Sequence, residues 1–226
     1  MTSPDVLKSR LVDAALMHVA FDGWSEETLK LAASDCALPL AEAQALFPRG
    51  AVDLALAYHR MGDDQMVAQM QASDLTEMRY RDRVVHAIRL RLELADKEAV
   101  RRGSTFFALP QYAGDGAKAI WGTADKIWEA LGDTSRDVNW YTKRVTLSAV
   151  YSSVVLFWLG DTSDNHVATW EFLDRRIENV MQFEKTKAQL RKNPLVKSFM
   201  EGPGKILERV TAPGNGPDGF PGQWKK

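Results

Sequence analysis

Between Asp137 and Glu184 the chain concentrates side chains that only a core or an interface can accept. Trp140, Trp158 and Trp170 all lie here, around an apolar run that ends Leu156-Phe157-Trp158-Leu159-Gly160-Asp161. Rings of that size dominate core and interface energetics because each removes so much apolar area from water. Leu147, Val150, Tyr151, Val154, Val155 and Trp158 recur at helical spacing, and a helix apolar nearly all round is normally buried. Ser148, Ser152 and Ser153 leave room beside it. That room suits either a neighbouring helix or the wall of a cavity for an apolar ligand, and the sequence leaves both open.

At 226 residues the chain can bury a substantial core as one domain, or as one domain with a small appendage. Its 29 Lys and Arg against 30 Asp and Glu argue against a surface built throughout for polyanions. The single Cys36 forms no intrachain disulfide and reads as a small buried hydrophobe of a reducing compartment. The first residues lack the zones of a secretory signal. The longest apolar run, Val145 to Leu159, is too short for the roughly 20 residues that span a bilayer.

In chain order, Pro4 opens a helix with Leu7, Leu11, Ala14, Ala15, Met17, His18 and Phe21 on its apolar face, stopped by Asp22-Gly23. Ser25 caps a second helix through Leu29, Leu31 and Ala32, and Pro39 opens a short third that ends before Phe47-Pro48-Arg49-Gly50. The order is that of a helix-turn-helix. These residues, from Val12-Asp13-Ala14-Ala15-Leu16 through Gly23-Trp24 to Leu46-Phe47-Pro48-Arg49-Gly50, resemble the N-terminal domain of TetR-type regulators, in which a recognition helix enters the major groove. Residues 22 to 50 nevertheless set Asp22, Glu26, Glu27, Asp35 and Glu42 against only Lys30 and Arg49. Only Gln44 in the third helix could read a base edge, with no cation to hold register. The fold is expected without the DNA function, so no nucleic-acid partner is expected.

A fourth helix from Ala51 carries Leu54, Leu56, Tyr58, Met61, Met66 and Met70, the methionines reading as core filler. A fifth, around Val84 to Leu94, pairs an apolar stripe that includes Ile88 and Leu92 with Arg81, Arg83, Arg89 and Arg91, read as a solvated face. A sixth runs from Ala99 to Leu109. After a Gly114-Asp115-Gly116 turn comes a seventh, Ala117 to Leu131, with Trp121 and Trp128 on one side as core or pocket wall. The eighth opens at Asp137 and the ninth spans about Asn165 to Gln189, with Trp170, Leu173, Ile177 and Val180 on one face. From residue 185 nine cations oppose three acids. Beside them Leu195, Val196, Phe199, Met200, Ile206 and Leu207 form an apolar stripe interrupted by Gly202-Pro203-Gly204. Such a basic amphipathic segment suits an anionic membrane surface or a docked helix equally well. Beyond Thr211 the composition is that of a disordered tail.

No catalytic site is expected. His18, His59, His86 and His166 form no i, i+4 metal pair, the acids Asp63-Asp64 read as a solvated helix surface, and no nucleophile elbow or dinucleotide fingerprint occurs. The expectation is a non-enzymatic binding protein with no metal and no cofactor.

Asn139-Trp140-Tyr141-Thr142-Lys143-Arg144, Tyr151-Ser152-Ser153, Trp158-Leu159-Gly160-Asp161 and Trp170-Glu171-Phe172-Leu173-Asp174-Arg175-Arg176-Ile177 together resemble the Coq-nine family of ubiquinone-biosynthesis accessory proteins. The resemblance implies an all-α, TetR-like bundle of about nine or ten helices. Residues 1–50 would form a degenerate helix-turn-helix, 51–190 a lipid-binding domain, 191–211 the basic amphipathic segment and 212–226 the tail. It implies a bound isoprenoid quinone or phospholipid and a di-iron hydroxylase as partner. Asp137, Trp140 and Tyr141 match the family's partner patch, although Trp140 and Tyr141 could instead staple the eighth helix to the core. Ile88, Leu92, Trp121, Trp128, Leu147, Tyr151, Val154, Trp158 and Trp170 are the expected lipid contacts, with Leu147 to Trp158 and Trp170 facing inward toward a cavity. Leu195, Val196, Phe199, Met200, Ile206 and Leu207 would meet the membrane. The implied place is cytoplasmic, peripheral at the inner face of a membrane, as a homodimer. The alternative is a TetR-type ligand-responsive repressor.

Overall fold

The computed structural model describes residues 3–191, and these form nine α-helices with no strand among them. The helices are α1 (Pro4–Asp22), α2 (Glu26–Asp35), α3 (Leu40–Leu46), α4 (Ala51–Ala72), α5 (Tyr80–Glu93), α6 (Lys97–Phe107), α7 (Ala113–Ala130), α8 (Val138–Gly160) and α9 (Val167–Arg191). The expected membrane contacts Leu195, Val196, Phe199, Met200, Ile206 and Leu207 lie outside the described residues, as does the tail. Among the described residues no helix is long and apolar enough to cross a membrane.

Local chemistry accounts for most helix boundaries. The Ser25 hydroxyl accepts from Thr28 N at 3.1 Å, Asp96 accepts from Ala99 N at 2.7 Å, and Asp137 accepts from Asn139 N at 3.0 Å. Each satisfies an orphan amide at a helix start. Glu26 does more than acidify the helix-turn-helix: its Oε1 accepts from Ala51 N at 2.9 Å and so caps α4 from a distance. Gly50 makes this possible, because its φ of 57° favours glycine and an added Cβ would lie 1.8 Å from the Glu26 carboxylate. Asp161 ends α8 and starts the next turn by accepting from Ser163 N and Thr169 N at 2.8 and 3.0 Å. Hydrogen bonds from the Ser163 and Thr169 hydroxyls hold its carboxyl far below the usual range.

Two buried clusters meet along α4. One joins Leu11, Val12, Trp24, Leu29, Phe47, Leu54 and Ala99, so α6 contributes to the core of the helix-turn-helix. Trp24 ties them together by donating to Ala99 O at 3.0 Å. The other joins Met66, Met70, Ile88, Leu92, Ile127, Val154, Trp158 and Leu173 from α4, α5, α7, α8 and α9.

Several expectations are corrected here. Met17 and Phe21 are 74% and 85% exposed, because α1 buries the stripe Leu11, Val12, Ala15 and Val19 instead. Gly114-Asp115-Gly116 lies inside the first turns of α7. Gly116 lets the helix approach α6, since a Cβ there would sit 2.8 Å from Phe107 Cβ. Asp63 and Arg91, both read as solvated, are each 2% exposed. They form a buried ion pair that each compensates for the other, Arg91 Nε donating to Asp63 Oδ1 at 2.7 Å.

Candidate functional site

Among the described residues two openings in the bundle bear on function. The larger, of about 400 Å³, lies where α4, α6, α7 and α8 diverge, with Arg91 of α5 at its base. Its walls are apolar, with Trp24, Phe107, Ile120, Val155 and Leu156 among them. Ser152 and Gly103 face it from α8 and α6, so small residues on two helices supply the space. Ser152 turns its own hydroxyl to Ser148 O at 2.8 Å, which removes a polar group from the wall.

One corner of this cavity is polar and fully organised. Asp63 Oδ1 accepts from Arg91 Nε at 2.7 Å and from the Thr123 hydroxyl at 2.9 Å. The Thr123 oxygen lies 2.8 Å from His59 Nε2, which is also 3.1 Å from Ala119 O. Arg91 returns to α4 by donating to His59 O at 3.1 Å. Burial pushes the His59 imidazole down to about 4, outweighing the neighbouring Asp63, so the ring is neutral near pH 7. Burial likewise raises the Tyr151 phenol, the innermost ring on α8 at this corner. Gly62 is required beneath Arg91, because a Cβ there would come within 2.7 Å of the guanidinium.

The second cavity, of about 300 Å³, lies between α5, α7, α8 and α9, with Val84, Trp128, Leu147, Val150, Ile177 and Val180 among its lining. Lys143 and Arg81 stand at this cavity as cations.

The expected lipid contacts are not brought to one place. Tyr151 lines the larger cavity, and Trp128 and Leu147 the smaller. Ile88, Leu92, Val154 and Trp158 are consumed by the core. Trp170 is half-buried, donates to Asn165 O at 2.8 Å and carries the Arg89 guanidinium 4.8 Å from its ring. The inward face of α8 is therefore mostly helix packing, with Tyr151, Ser152, Val155 and Leu156 left to the larger cavity.

Trp121 belongs elsewhere. It lies 5.8 Å from Trp140 and 6.5 Å from Tyr141, and those two rings meet edge to face at 4.8 Å. All three are half-buried, while Asp137 beside them is exposed. The rings hold α8 to α7 and keep part of their surface toward solvent. Arg144, 2% exposed, orders the patch from beneath. Its guanidinium carbon sits 3.9 Å from the centre of the Trp140 ring, and it reaches Asp133 Oδ2 and Trp140 O at 3.2 Å each. Burial raises the Asp133 carboxyl, but Lys143, Ser135 and Arg144 outweigh it and bring it to about 2.

Sequence reasoning missed His59, Asp63, Arg91, Thr123 and Arg144. One signal was available: His59 and Asp63 stand at i and i+4 on a helix otherwise rich in Ala, Leu and Met. A second lay on α8, where Arg144 stands three and seven residues before Leu147 and Tyr151 and so on their apolar face. Among the described residues no group of three or more His, Cys, Asp or Glu is placed to hold a metal ion.

Comparison with known proteins agrees with the resemblance. The COQ9 family profile matches residues 113–184, which hold α7, α8 and most of α9. The ubiquinone biosynthesis protein COQ9, mitochondrial, of Drosophila melanogaster is 30% identical over 82% of this chain and 58% of its own. The probable ubiquinone biosynthesis protein coq9, mitochondrial, of Dictyostelium discoideum is 30% identical over 80% and 62%, and the human COQ9 protein 28% over 92% and 69%. The chain thus spans about three fifths of the length of the first two relatives. A solved TetR transcriptional regulator from Nitrosomonas europaea aligns with a TM-score of 0.62 at 20% identity, covering 76% of this chain and 97% of its own. That likeness establishes the TetR-like fold.

Proposed function

The chain belongs to the COQ9 family, and we propose from that membership that it is a non-enzymatic accessory protein of ubiquinone biosynthesis. In this reading it takes up a prenylated quinone intermediate and presents it to the pathway's di-iron hydroxylase at a membrane surface. The observation that carries the proposal is an apolar cavity with one polar corner, sharing α7 and α8 with the half-buried aromatic patch. Ile120 lines the cavity and its neighbour Trp121 belongs to the patch, so ligand and partner would be read by adjacent residues of one helix.

A cavity of about 400 Å³ falls toward the lower end of the range for small-molecule sites, enough for a ring and the start of a tail. Burying prenyl surface gains roughly 25 cal/mol per Å², which the bilayer supplies equally well. The protein therefore withdraws the ring while most of the tail stays in lipid. Leu156, 66% exposed at the cavity, marks the side by which the tail leaves. The expected membrane segment at 191–211 would hold the protein at that surface. The relatives' names place them in mitochondria, and this chain is proposed to work as a peripheral protein at the inner face of a membrane.

Phe157 on α8 stacks on Phe172 of α9 at 4.5 Å, and Val167, Met181 and Phe183 of α9 are exposed. An apolar face of this kind supports a homodimer formed through the last two described helices. The helix-turn-helix supports no repressor reading. Lys30 pairs with Glu27, and Arg49 is engaged by Asp53 and Asp115, which leaves little free positive charge for phosphates.

Mass spectrometry of lipids extracted from the purified protein tests the proposal. Prenylated quinones or their precursors should be enriched over bulk membrane lipid, and a clean absence of lipid would sink the carrier reading.

A further inference from the structure

The polar corner of the larger cavity has a fixed hydrogen-bonding sense. Ala119 O can only accept, so the proton of the His59 imidazole sits on Nε2, which serves Ala119 O at 3.1 Å and Thr123 Oγ1 at 2.8 Å. The Thr123 hydroxyl can receive that bond because its own proton goes to Asp63 Oδ1 at 2.9 Å. Asp63, 2% exposed, is held as an acceptor by Arg91 at 2.7 Å. The chain Arg91, Asp63, Thr123, His59 thus runs in one direction and leaves the Nδ1 lone pair at its end. Among the described residues Nδ1 has no hydrogen-bond partner, and it is not fully enclosed. The ring that carries it borders the cavity.

A neutral imidazole nitrogen in this state accepts and cannot donate. A quinone carbonyl would set lone pair against lone pair. A phenolic hydroxyl would complete the chain with one further hydrogen bond. We propose that His59 Nδ1 is the head-group reader of this cavity, selecting ligands whose aromatic ring carries a free hydroxyl, phenols and reduced quinols, over the oxidised quinone or an alkylated ether. The inference rests on the cavity being the lipid site of the preceding section, and it adds the redox and substitution state of the ring that the site accepts. The ring would lie among Trp24, Tyr58 and Phe107, with the hydroxyl toward α4 and the tail toward Val155 and Leu156. A site built to bond a hydroxyl discriminates against the ligand that lacks it, because a buried polar group is then left unpaired.

The test uses the whole chain and two probes, a phenol bearing a geranyl chain and its O-methyl ether, followed by tryptophan fluorescence and calorimetry. The wild-type protein should bind the phenol about tenfold more tightly. His59→Phe keeps a ring in the wall but carries neither acceptor nor donor; it should bind both probes with the affinity the wild type shows for the ether. Imidazole 15N spectra of the wild type give a readout independent of any variant. The unprotonated nitrogen of His59 should shift on addition of the phenol and not of the ether. Equal wild-type affinities for the two probes would overturn the assignment of His59 while leaving the cavity as a lipid site. Failure of both probes to bind, or to be displaced from the cavity by each other, would overturn the cavity reading together with it.

Discussion

Two arginines, Arg91 on α5 and Arg144 on α8, are each 2% exposed, and each underlies one half of the candidate site. Arg91 is pinned by one carboxylate, Asp63, in a corner closed by α4, α5 and α7, and what it organises is the wall of a cavity. Arg144 is shared by Asp125 and Asp133 and lies under Trp140, so what it organises is a half-exposed aromatic surface. The same guanidinium chemistry is turned inward in one case and outward in the other. The difference lies in the relief available if the arginine is lost. Asp63 is sealed in the interior, whereas Asp133 keeps Lys143 and Asp125 stands partly in solvent.

That contrast can be broken at four points of decreasing size. Arg91→Met leaves Asp63 buried and uncompensated, and chemical denaturation should register a loss of about 3–5 kcal/mol. The double variant with Asp63→Leu should recover most of it, since an apolar pair of similar volume avoids the desolvation cost. Arg144→Met should cost less, about 2–3 kcal/mol, because its partners have other recourse. It should also weaken the near-ultraviolet signal of the Trp121, Trp140 and Tyr141 cluster more than Arg91→Met does. A loss as large as that of Arg91→Met would erase the distinction between the two sites.

The third point is pH. His59 faces Asp63, Arg91 and Arg60, and burial holds it at about 4 against an ordinary 6.5. Between those values the unfolded chain binds a proton that the folded chain refuses. Its contribution is therefore complete above about pH 6.5 and falls as the pH drops toward 4, by about 2 kcal/mol once partial exposure is allowed for. His59→Gln should flatten this part of the stability profile; an unchanged slope would place the titration elsewhere. The smallest effect on stability is Trp140→Ala, at about 1 kcal/mol for a half-exposed ring and its cation–π contact. Its effect on capture of the proposed hydroxylase partner should be large, since centrally placed aromatics carry interface affinity. Undiminished capture would assign the patch to helix packing alone.

The bundle was legible in the sequence because its signals are local. Ser25, Pro39 and Asp137 mark helix starts through single hydrogen bonds or a fixed φ, and the apolar stripe of α8 needs no partner to be recognised. The cavity was not legible. Its walls come from α4, α6, α7 and α8, and which of Tyr151, Val154 and Trp158 faces space rather than core depends on how those helices diverge. The buried charges were misread for a related reason. Arg91 falls on the helical face of Val84, Ala87 and Ile88 and Arg89 on the opposite one, but only the approach of Gly62 and Asp63 from α4 shows how a charge can be enclosed there. The aromatic patch stood between these extremes: Trp140 and Tyr141 announced themselves as neighbours, but Trp121 joined them only through the packing of α7 on α8.

The central claim is that the larger cavity, and neither the second cavity nor the patch, holds the lipid. The direct test is the prenylated lipid recovered per chain from Ser152→Phe, whose ring would occupy the cavity from α8, against wild type purified from the same cells. The account predicts at least a tenfold loss of lipid with helicity and hydroxylase capture retained. Equal lipid content in a folded Ser152→Phe protein would contradict it.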